Sequence, residues 1–246
     1  MTLPASILLV VGAGAWLAVA GIARGMGVMP GTMGLSLGAF VALWALMMTA
    51  MMLPTIAPFV ALHTRTLTDR RAQRIGELAI GYLLVWTAAA LPAYVLALVA
   101  ERLVDTRPTA AKILAAAIFA ACGIYQLTPI KDRCLARCRS PLGFVLKYGS
   151  YRGRLRDLRV GMSHGAFCLA CCWALMVVLI AVGLMNLAAM VILAAVVLTE
   201  KTWQRGPQFS RVVGVIALVL AVVVLFRPSI APGLSPAPMS DTGDGM

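Results

Sequence analysis

The stretch VGMSHGAFCLACCWALMVVLIAVGLMNLAAMVILAAVVLT, from Val160 to Thr199, runs for 40 residues without an acidic residue, a lysine or an arginine. As one continuous α-helix it would be about 60 Å long, roughly twice the thickness of the hydrocarbon core of a bilayer. Its one polar break is Gly183-Leu-Met-Asn186. The stretch therefore predicts two membrane-spanning helices, one from 160 to about 182 and one from about 185 to 199.

The rest of the chain has the same character. Of its 246 residues, 61% are hydrophobic and 12% are charged, and the mean hydropathy is +0.93. Soluble domains average roughly 45–50% apolar and about 25% charged residues, so a soluble enzyme of ordinary composition is excluded. Five further apolar segments predict spans at about 4–22, 35–62, 76–100, 110–127 and 211–226.

The predicted fold is therefore an all-α, polytopic transmembrane helix bundle of about seven spans. Six spans remain the alternative if 160–199 crosses once. Residues 1–226 form a single transmembrane domain on this interpretation. Residues 227–246 are rich in proline, glycine, serine and aspartate and predict a disordered C-terminal tail.

The net charge of +12 indicates how such a protein is oriented in the membrane. With seven spans, 16 of the 21 lysine and arginine residues fall on one side of the bilayer. The positive-inside rule then predicts a cytoplasmic N-terminus and a C-terminus on the outer side. No nucleic-acid partner is expected, because the basic residues accompany the spans rather than a soluble fold with aromatic platforms. Glu200 and Lys201 end a span and predict an interface anchor.

The strongest local signal is a set of cysteines inside the fifth span. Cys168, Cys171 and Cys172 fall with His164 on one helix face, within an arc of roughly 100° at about 100° per residue. Cysteine also packs well as a small apolar residue. The clustering of three thiols and an imidazole on one face favours a metal site or a redox site, with packing as the alternative.

A stripe of methionines in the second span provides possible partners for these cysteines. Met48, Met51 and Met52 share a face, followed by Pro54 and Pro58, which kink the helix. Counting residues along each span brings the methionines and the cysteines to a similar depth. Thioether and thiolate ligands together select Cu(I), whereas Zn(II), the alternative metal, would favour cysteine with histidine.

A further pair of cysteines lies between the fourth and fifth spans. Cys134 and Cys138 are spaced i, i+4, so both thiols face the same way if the segment is helical. The basic residues around them favour the thiolate form, and a reducing cytoplasm disfavours a disulfide. We interpret them as a site that takes metal from a cytoplasmic donor protein or passes metal to an acceptor. Two ordinary loop cysteines are the alternative.

Several spaced motifs give the chain a family resemblance over about residues 40–203. They are Trp44-x-x-Met-Met-x-x-Met-Met-x-Pro54, Gly81-Tyr82-x-x-x-Trp86-Thr87, Tyr125-Gln-Leu-Thr-Pro-x-Lys131-x-x-Cys134-Leu-x-x-Cys138-Arg-x-Pro141, Gly165-x-x-Cys168-x-x-Cys171-Cys172-Trp173, Met185-Asn186-Leu187 and Glu200-Lys201. In this order they resemble a bacterial family of predicted metal-binding integral membrane proteins. The resemblance implies metal binding in a bacterial inner (plasma) membrane, with a functional role for the cysteine face.

Three hypotheses follow from the residues and the resemblance. The first is a membrane protein that binds a soft metal, most readily copper as Cu(I), for transport or for delivery to another protein. The second is a membrane thiol oxidoreductase or a metal-dependent oxidoreductase. The third is a structural or assembly subunit of a membrane complex, in which the sulfur residues only pack.

Overall fold

The computed structural model describes residues 3–26, 31–65, 67, 70–140, 143, 153 and 155–235. The described part is α-helical and contains no strand, which confirms the all-α prediction. The helices are α1 Leu3–Met26, α2 Leu37–Met52, α3 Ala57–Arg65, α4 Arg71–Ala88, α5 Ala90–Thr106, α6 Pro108–Gln126, α7 Pro129–Cys138, α8 Arg156–Val182, α9 Leu187–Thr202 and α10 Gly206–Phe226. Short 3-10 turns cover Pro54–Ile56, Pro228–Ile230 and Pro232–Leu234.

Six segments of the described chain are long and apolar enough to cross a membrane. They are Ser6–Gly25, Leu37–Arg65, Arg71–Thr106, Pro108–Gln126, Arg156–Val182 and Gly206–Phe226. Two of them are interrupted near prolines. A 3-10 turn at Pro54–Ile56 separates α2 from α3, and Pro92, which lacks an amide hydrogen, follows the join between α4 and α5.

The predicted break in the 160–199 stretch is present. α8 ends at Val182, Gly183 has a φ of 93°, and α9 begins after Asn186, whose side chain accepts a hydrogen bond from the Ala189 amide at 3.1 Å. α9 has 16 residues, about 24 Å, and so falls short of the roughly 30 Å hydrocarbon core. The stretch is thus two helices, of which the second is shorter than a typical membrane span.

The end of α9 corrects one expectation. Glu200 is fully buried, and the Lys201 ammonium donates a hydrogen bond to the Cys168 sulfur. The pair therefore does not form the predicted interface anchor. Both charged groups turn inward because partners for them lie inside the bundle, at the level where α9 ends.

The C-terminal segment corrects a second expectation. Ala231, Gly233 and Leu234 are buried, and a Cβ atom on Gly233 would lie 2.3 Å from the Ile180 carbonyl oxygen. The predicted disordered tail therefore does not include Pro228–Leu234, because this segment packs against the turn between α8 and α9. Residues 236–246 lie outside the described residues.

Glycines allow α4 and α8 to approach each other closely. A Cβ atom on Gly161 would lie 2.0 Å from the Leu78 carbonyl oxygen, and one on Gly81 would lie 2.2 Å from the Leu158 carbonyl oxygen. Such small-residue contacts are typical of membrane helix packing. The contact fixes α4, which carries Tyr82, against α8, which carries the cysteines.

Not every pair of glycines with this spacing has the same role. Gly161 and Gly165 have the i, i+4 spacing that is typical of close helix contacts, and both glycines make such contacts. The same spacing at Gly21 and Gly25 leads to open space, with nothing within 4 Å of an added Cβ atom. Spacing alone therefore did not distinguish packed glycines from unpacked ones.

A buried ion pair ties α7 and α9 together. The Lys131 ammonium and the Glu200 carboxylate are 2.7 Å apart, and both residues are fully buried. The Gln126 amide donates to the other carboxylate oxygen at 2.8 Å, and the Ser210 hydroxyl donates to the Gln126 carbonyl oxygen at 3.1 Å. The network therefore joins the end of α6, the first turn of α7, the end of α9 and the first turns of α10.

Gly161→Ala should destabilise the protein by about 1–3 kcal/mol, because the added methyl group has no room beside the Leu78 carbonyl. Gly21→Ala is the matched control in α1 and should leave the stability unchanged or raise it slightly. The measurement is reversible unfolding in mixed micelles. Equal losses for the two variants would contradict the close contact.

Glu200→Gln should lower the free energy of unfolding by about 3–5 kcal/mol, because it leaves the Lys131 ammonium buried without a counter-charge. The matched control is Asp132→Asn, which breaks the exposed pair with Arg211 and should cost less than about 1 kcal/mol. Both are measured in the same micelle titration. A Glu200 variant as stable as the control would show that the pair is not a fold determinant.

Candidate metal centre

The predicted cysteine face of α8 lies wholly inside the bundle. Cys168, Cys171, Cys172 and His164 are all buried. The sulfur atoms of Cys168 and Cys172, one helical turn apart, are separated by 3.9 Å, and the Cys172 thiol donates to the Cys168 carbonyl oxygen at 2.9 Å. Cys168 lies about 18 Å along α8 from Arg156. The thiols are therefore deep in the protein and close enough to act together.

Two groups from other helices contact the Cys168 sulfur. The Tyr82 hydroxyl of α4 lies 2.9 Å from it, and the Lys201 ammonium of α9 donates to it at 2.8 Å. The same ammonium donates to the Thr55 hydroxyl at 3.2 Å. Cys168 thus has two polar partners in an otherwise apolar interior, an arrangement that stabilises a thiolate better than a thiol.

A third helix brings another thiol to the cluster. Cys138, at the end of α7, lies near enough to Cys171 to interact with it electrostatically, and Cys171 precedes Cys172 directly in the chain. The cysteines therefore follow one another as neighbours in the order Cys138, Cys171, Cys172 and Cys168, and the last two form the close sulfur pair. Cys134 lies one turn earlier on α7, partly buried. The helical arrangement predicted for the Cys134–Cys138 pair is present.

Lys131 holds α7 in this position. Its ammonium donates to the Cys171 carbonyl oxygen at 2.7 Å while it pairs with Glu200. Burial alone would lower the pKa of Lys131, but the neighbouring Cys171 and Glu200 outweigh that effect, and the pKa is raised above its usual value. The Tyr125 hydroxyl also donates to the Ala170 carbonyl oxygen. Together these bonds attach the end of α6 and the first turn of α7 to the cysteine face.

The methionines of α2 are buried, and the end of α2 is linked to the cysteine face by Tyr82. Met48, Met51 and Met52 all have almost no exposed surface. The Tyr82 hydroxyl lies 3.4 Å from the Met52 carbonyl oxygen as well as 2.9 Å from the Cys168 sulfur. The end of α2 and the middle of α8 therefore lie at the same level, although the contact passes through a tyrosine.

The two histidines lie on the Arg156 side of the thiols along α8. His164 stacks on Phe59, with ring centroids 4.6 Å apart, and His63 bonds to the Asp157 carboxylate at 3.1 Å. Arg74 donates to the other Asp157 oxygen at 2.6 Å. His63 is thus held by Asp157, whereas His164 lies one turn before Cys168 among aromatic rings.

Within the described ranges, no three histidine, cysteine or acidic side chains are grouped so that they could hold a metal ion. The thiols neighbour one another in a series instead of converging on one point. Cu(I) accepts a lower coordination number than Zn(II), which in structural sites is almost always bound by four ligands. The donor chemistry, paired soft sulfur atoms in an apolar interior, therefore suits Cu(I) better than Zn(II).

Sequence reasoning missed the polar groups that organise the thiols. Tyr82, Thr55, Lys131 and Lys201 were not among the predicted site residues, yet each contacts the cysteine face or its partners. One signal could have identified three of them. Tyr82, Lys131 and Lys201 belong to the same ordered motifs as the cysteines, and a lysine or tyrosine inside such motifs indicates a role beyond anchoring.

Comparisons with known proteins give a family but no close relative. Residues 41–224 match the family described as PpoB2, copper chaperone. No curated protein and no solved structure matches the chain. The match supports a metal-related family, with copper as the metal. It does not point to the particular family that the sequence motifs resemble. Since the match covers most of the chain and includes every predicted site residue, the chain belongs to the PpoB2 copper chaperone family.

Proposed function

We propose that the protein binds Cu(I) as cargo between its membrane helices and delivers it to an acceptor protein. The observation that carries the proposal is the buried pair of Cys168 and Cys172, whose sulfur atoms are 3.9 Å apart. Soft sulfur ligands favour Cu(I) over harder cations. A bound cation would also offset the high cost of thiolates in an apolar interior.

The proposed core ligands are the three thiols of α8. The sulfur atoms of Cys168 and Cys172 are 3.9 Å apart, and Cys171 is next to Cys172 on the same face. We take the thioethers of α2 to complete the set, and His164 is the imidazole on α8, one turn before Cys168. The proposed methionines are Met48, Met51 and Met52.

The line of thiols supports a stepwise path for the cargo. Cys138 is the α7 neighbour of Cys171, Cys171 precedes Cys172 in the chain, and the Cys172 sulfur is 3.9 Å from that of Cys168. A Cu(I) ion can move between such neighbours by gaining one sulfur ligand before it loses another. Cys134 and Cys138 on α7 would then be the site where copper is loaded or unloaded.

The proposed setting is the inner membrane of a bacterium, with lipid around the bundle. The bias of basic residues supports a cytoplasmic N-terminus and a cytoplasmic position for α7. A metal donor or acceptor protein would then approach from the cytoplasm. A larger membrane complex could supply this partner.

The copper content of purified protein tests the core ligands. Wild-type protein prepared under reducing, copper-replete conditions should retain copper, and Cys168→Ser combined with Cys172→Ser should lose most of it, because hydroxyl groups are poor ligands for a soft ion. Cys122→Ser, which removes a buried thiol of α6, is the matched control. Elemental mass spectrometry gives the metal content. Equal copper in the double variant and the control would refute the assignment.

The rate of copper release tests the role of α7. Cys138→Ser should leave the copper content close to that of the wild type but slow the transfer of Cu(I) to a soluble chromogenic chelator, because the exchange partner of Cys171 is gone. Stopped-flow absorbance follows the transfer. A variant that loses its copper altogether would make Cys138 a core ligand, and an unchanged rate would remove it from the path.

A further inference from the structure

Three charged side chains lie beside the thiols, and their charges do not sum to zero. Lys131 and Glu200 neutralise each other at 2.7 Å. Lys201 is different, because its ammonium donates to the Cys168 sulfur at 2.8 Å and to the neutral Thr55 hydroxyl at 3.2 Å. In the described part of the chain, no carboxylate lies within ion-pair distance of it. The fixed side chains around the thiols therefore contribute one positive charge.

This charge matters because uncompensated charge is costly in a membrane interior. Cysteine ligands lose their protons when they bind a metal. The thiolates of Cys168 and Cys172 together with the Lys201 ammonium leave a single negative charge when Cys171 stays a neutral thiol, and a monovalent cation neutralises that charge. A divalent cation on the same two thiolates would leave the centre with an excess positive charge.

We propose that Lys201 is a specificity-determining residue that makes the Cys168–Cys172 pair accept a monovalent soft cation and reject a divalent one. The inference rests on the proposed function, because it takes these two cysteines as ligands. It adds that selection depends on ionic charge as well as on the softness of sulfur. Soft ligands alone do not provide such discrimination, since thiolates also bind Zn(II) tightly.

The position of Lys201 supports this role over that of a simple tether. Glu200, the preceding residue, already anchors the end of α9 through Lys131 and Gln126. Lys201 adds a contact to the sulfur itself. A merely structural lysine would affect stability when it is replaced, but it would not change the order in which metals bind.

The test compares Ag(I), a monovalent soft ion that does not change oxidation state, with Zn(II). Dissociation constants for both ions are measured on detergent-purified wild type, Lys201→Met, Lys201→Arg and the control Arg205→Met. Arg205 is exposed and lies four residues after Lys201, so its replacement removes a nearby positive charge outside the site.

Wild-type protein should prefer Ag(I) strongly. Lys201→Met should reduce the ratio of Ag(I) affinity to Zn(II) affinity by about tenfold or more, equivalent to about 1.4 kcal/mol. Lys201→Arg keeps the charge and should keep the preference, as should Arg205→Met. An unchanged ratio in Lys201→Met would overturn the inference and leave the proposed function intact.

Two further outcomes separate the inference from the proposed function. If the Cys168→Ser and Cys172→Ser double variant binds Ag(I) as tightly as wild type, the ligand assignment fails and the inference fails with it. If Lys201→Met does not fold, the Ag(I) and Zn(II) affinities of wild type and of Lys201→Arg still test the inference. Wild-type protein that binds Zn(II) as tightly as Ag(I) would overturn the role of Lys201.

Discussion

The buried contact between Lys131 and Glu200 is the interaction on which the arrangement of the thiols depends. It joins α7 to the end of α9, and the same ammonium bonds to the Cys171 carbonyl oxygen of α8. Three helices therefore meet at one cation. Because of that junction, Cys138 reaches Cys171 from one side and Lys201 reaches Cys168 from another. Isolated ion pairs in a low-dielectric interior are costly, so such a pair is retained only where its partners are well bonded.

Much of the fold could be predicted from the sequence. The apolar runs and their breaks predicted an all-α bundle, and Gly183 to Asn186 separates α8 from α9 as expected. These features are local, since hydrophobic length and turn-forming residues leave a direct mark on the chain. The ordered segment at Pro228–Leu234 was not predicted, because its proline, glycine and serine content is typical of disorder and only its packing against α8 reveals its role.

The candidate site was predictable only in part. Periodicity brought His164, Cys168, Cys171 and Cys172 to one face of a helix, and these residues are buried together. The polar groups that surround them come from other helices, and their positions depend on tertiary packing. Lys201 is an example, because a lysine at the end of an apolar segment commonly reaches the membrane surface, whereas here it turns towards a sulfur atom. Whether the methionines and cysteines share a metal remains a prediction.

The packed C-terminal segment also affects how the chain can be handled experimentally. A protein shortened after Phe226, at the boundary that composition suggests, would lose the residues that cover the turn between α8 and α9. The Ile180 carbonyl and Gly183 would then be uncovered at the end of the helix that carries the cysteines. A purification tag is therefore better attached beyond Ser235 than in place of Pro228–Leu234, because this segment supports that end of the cysteine helix.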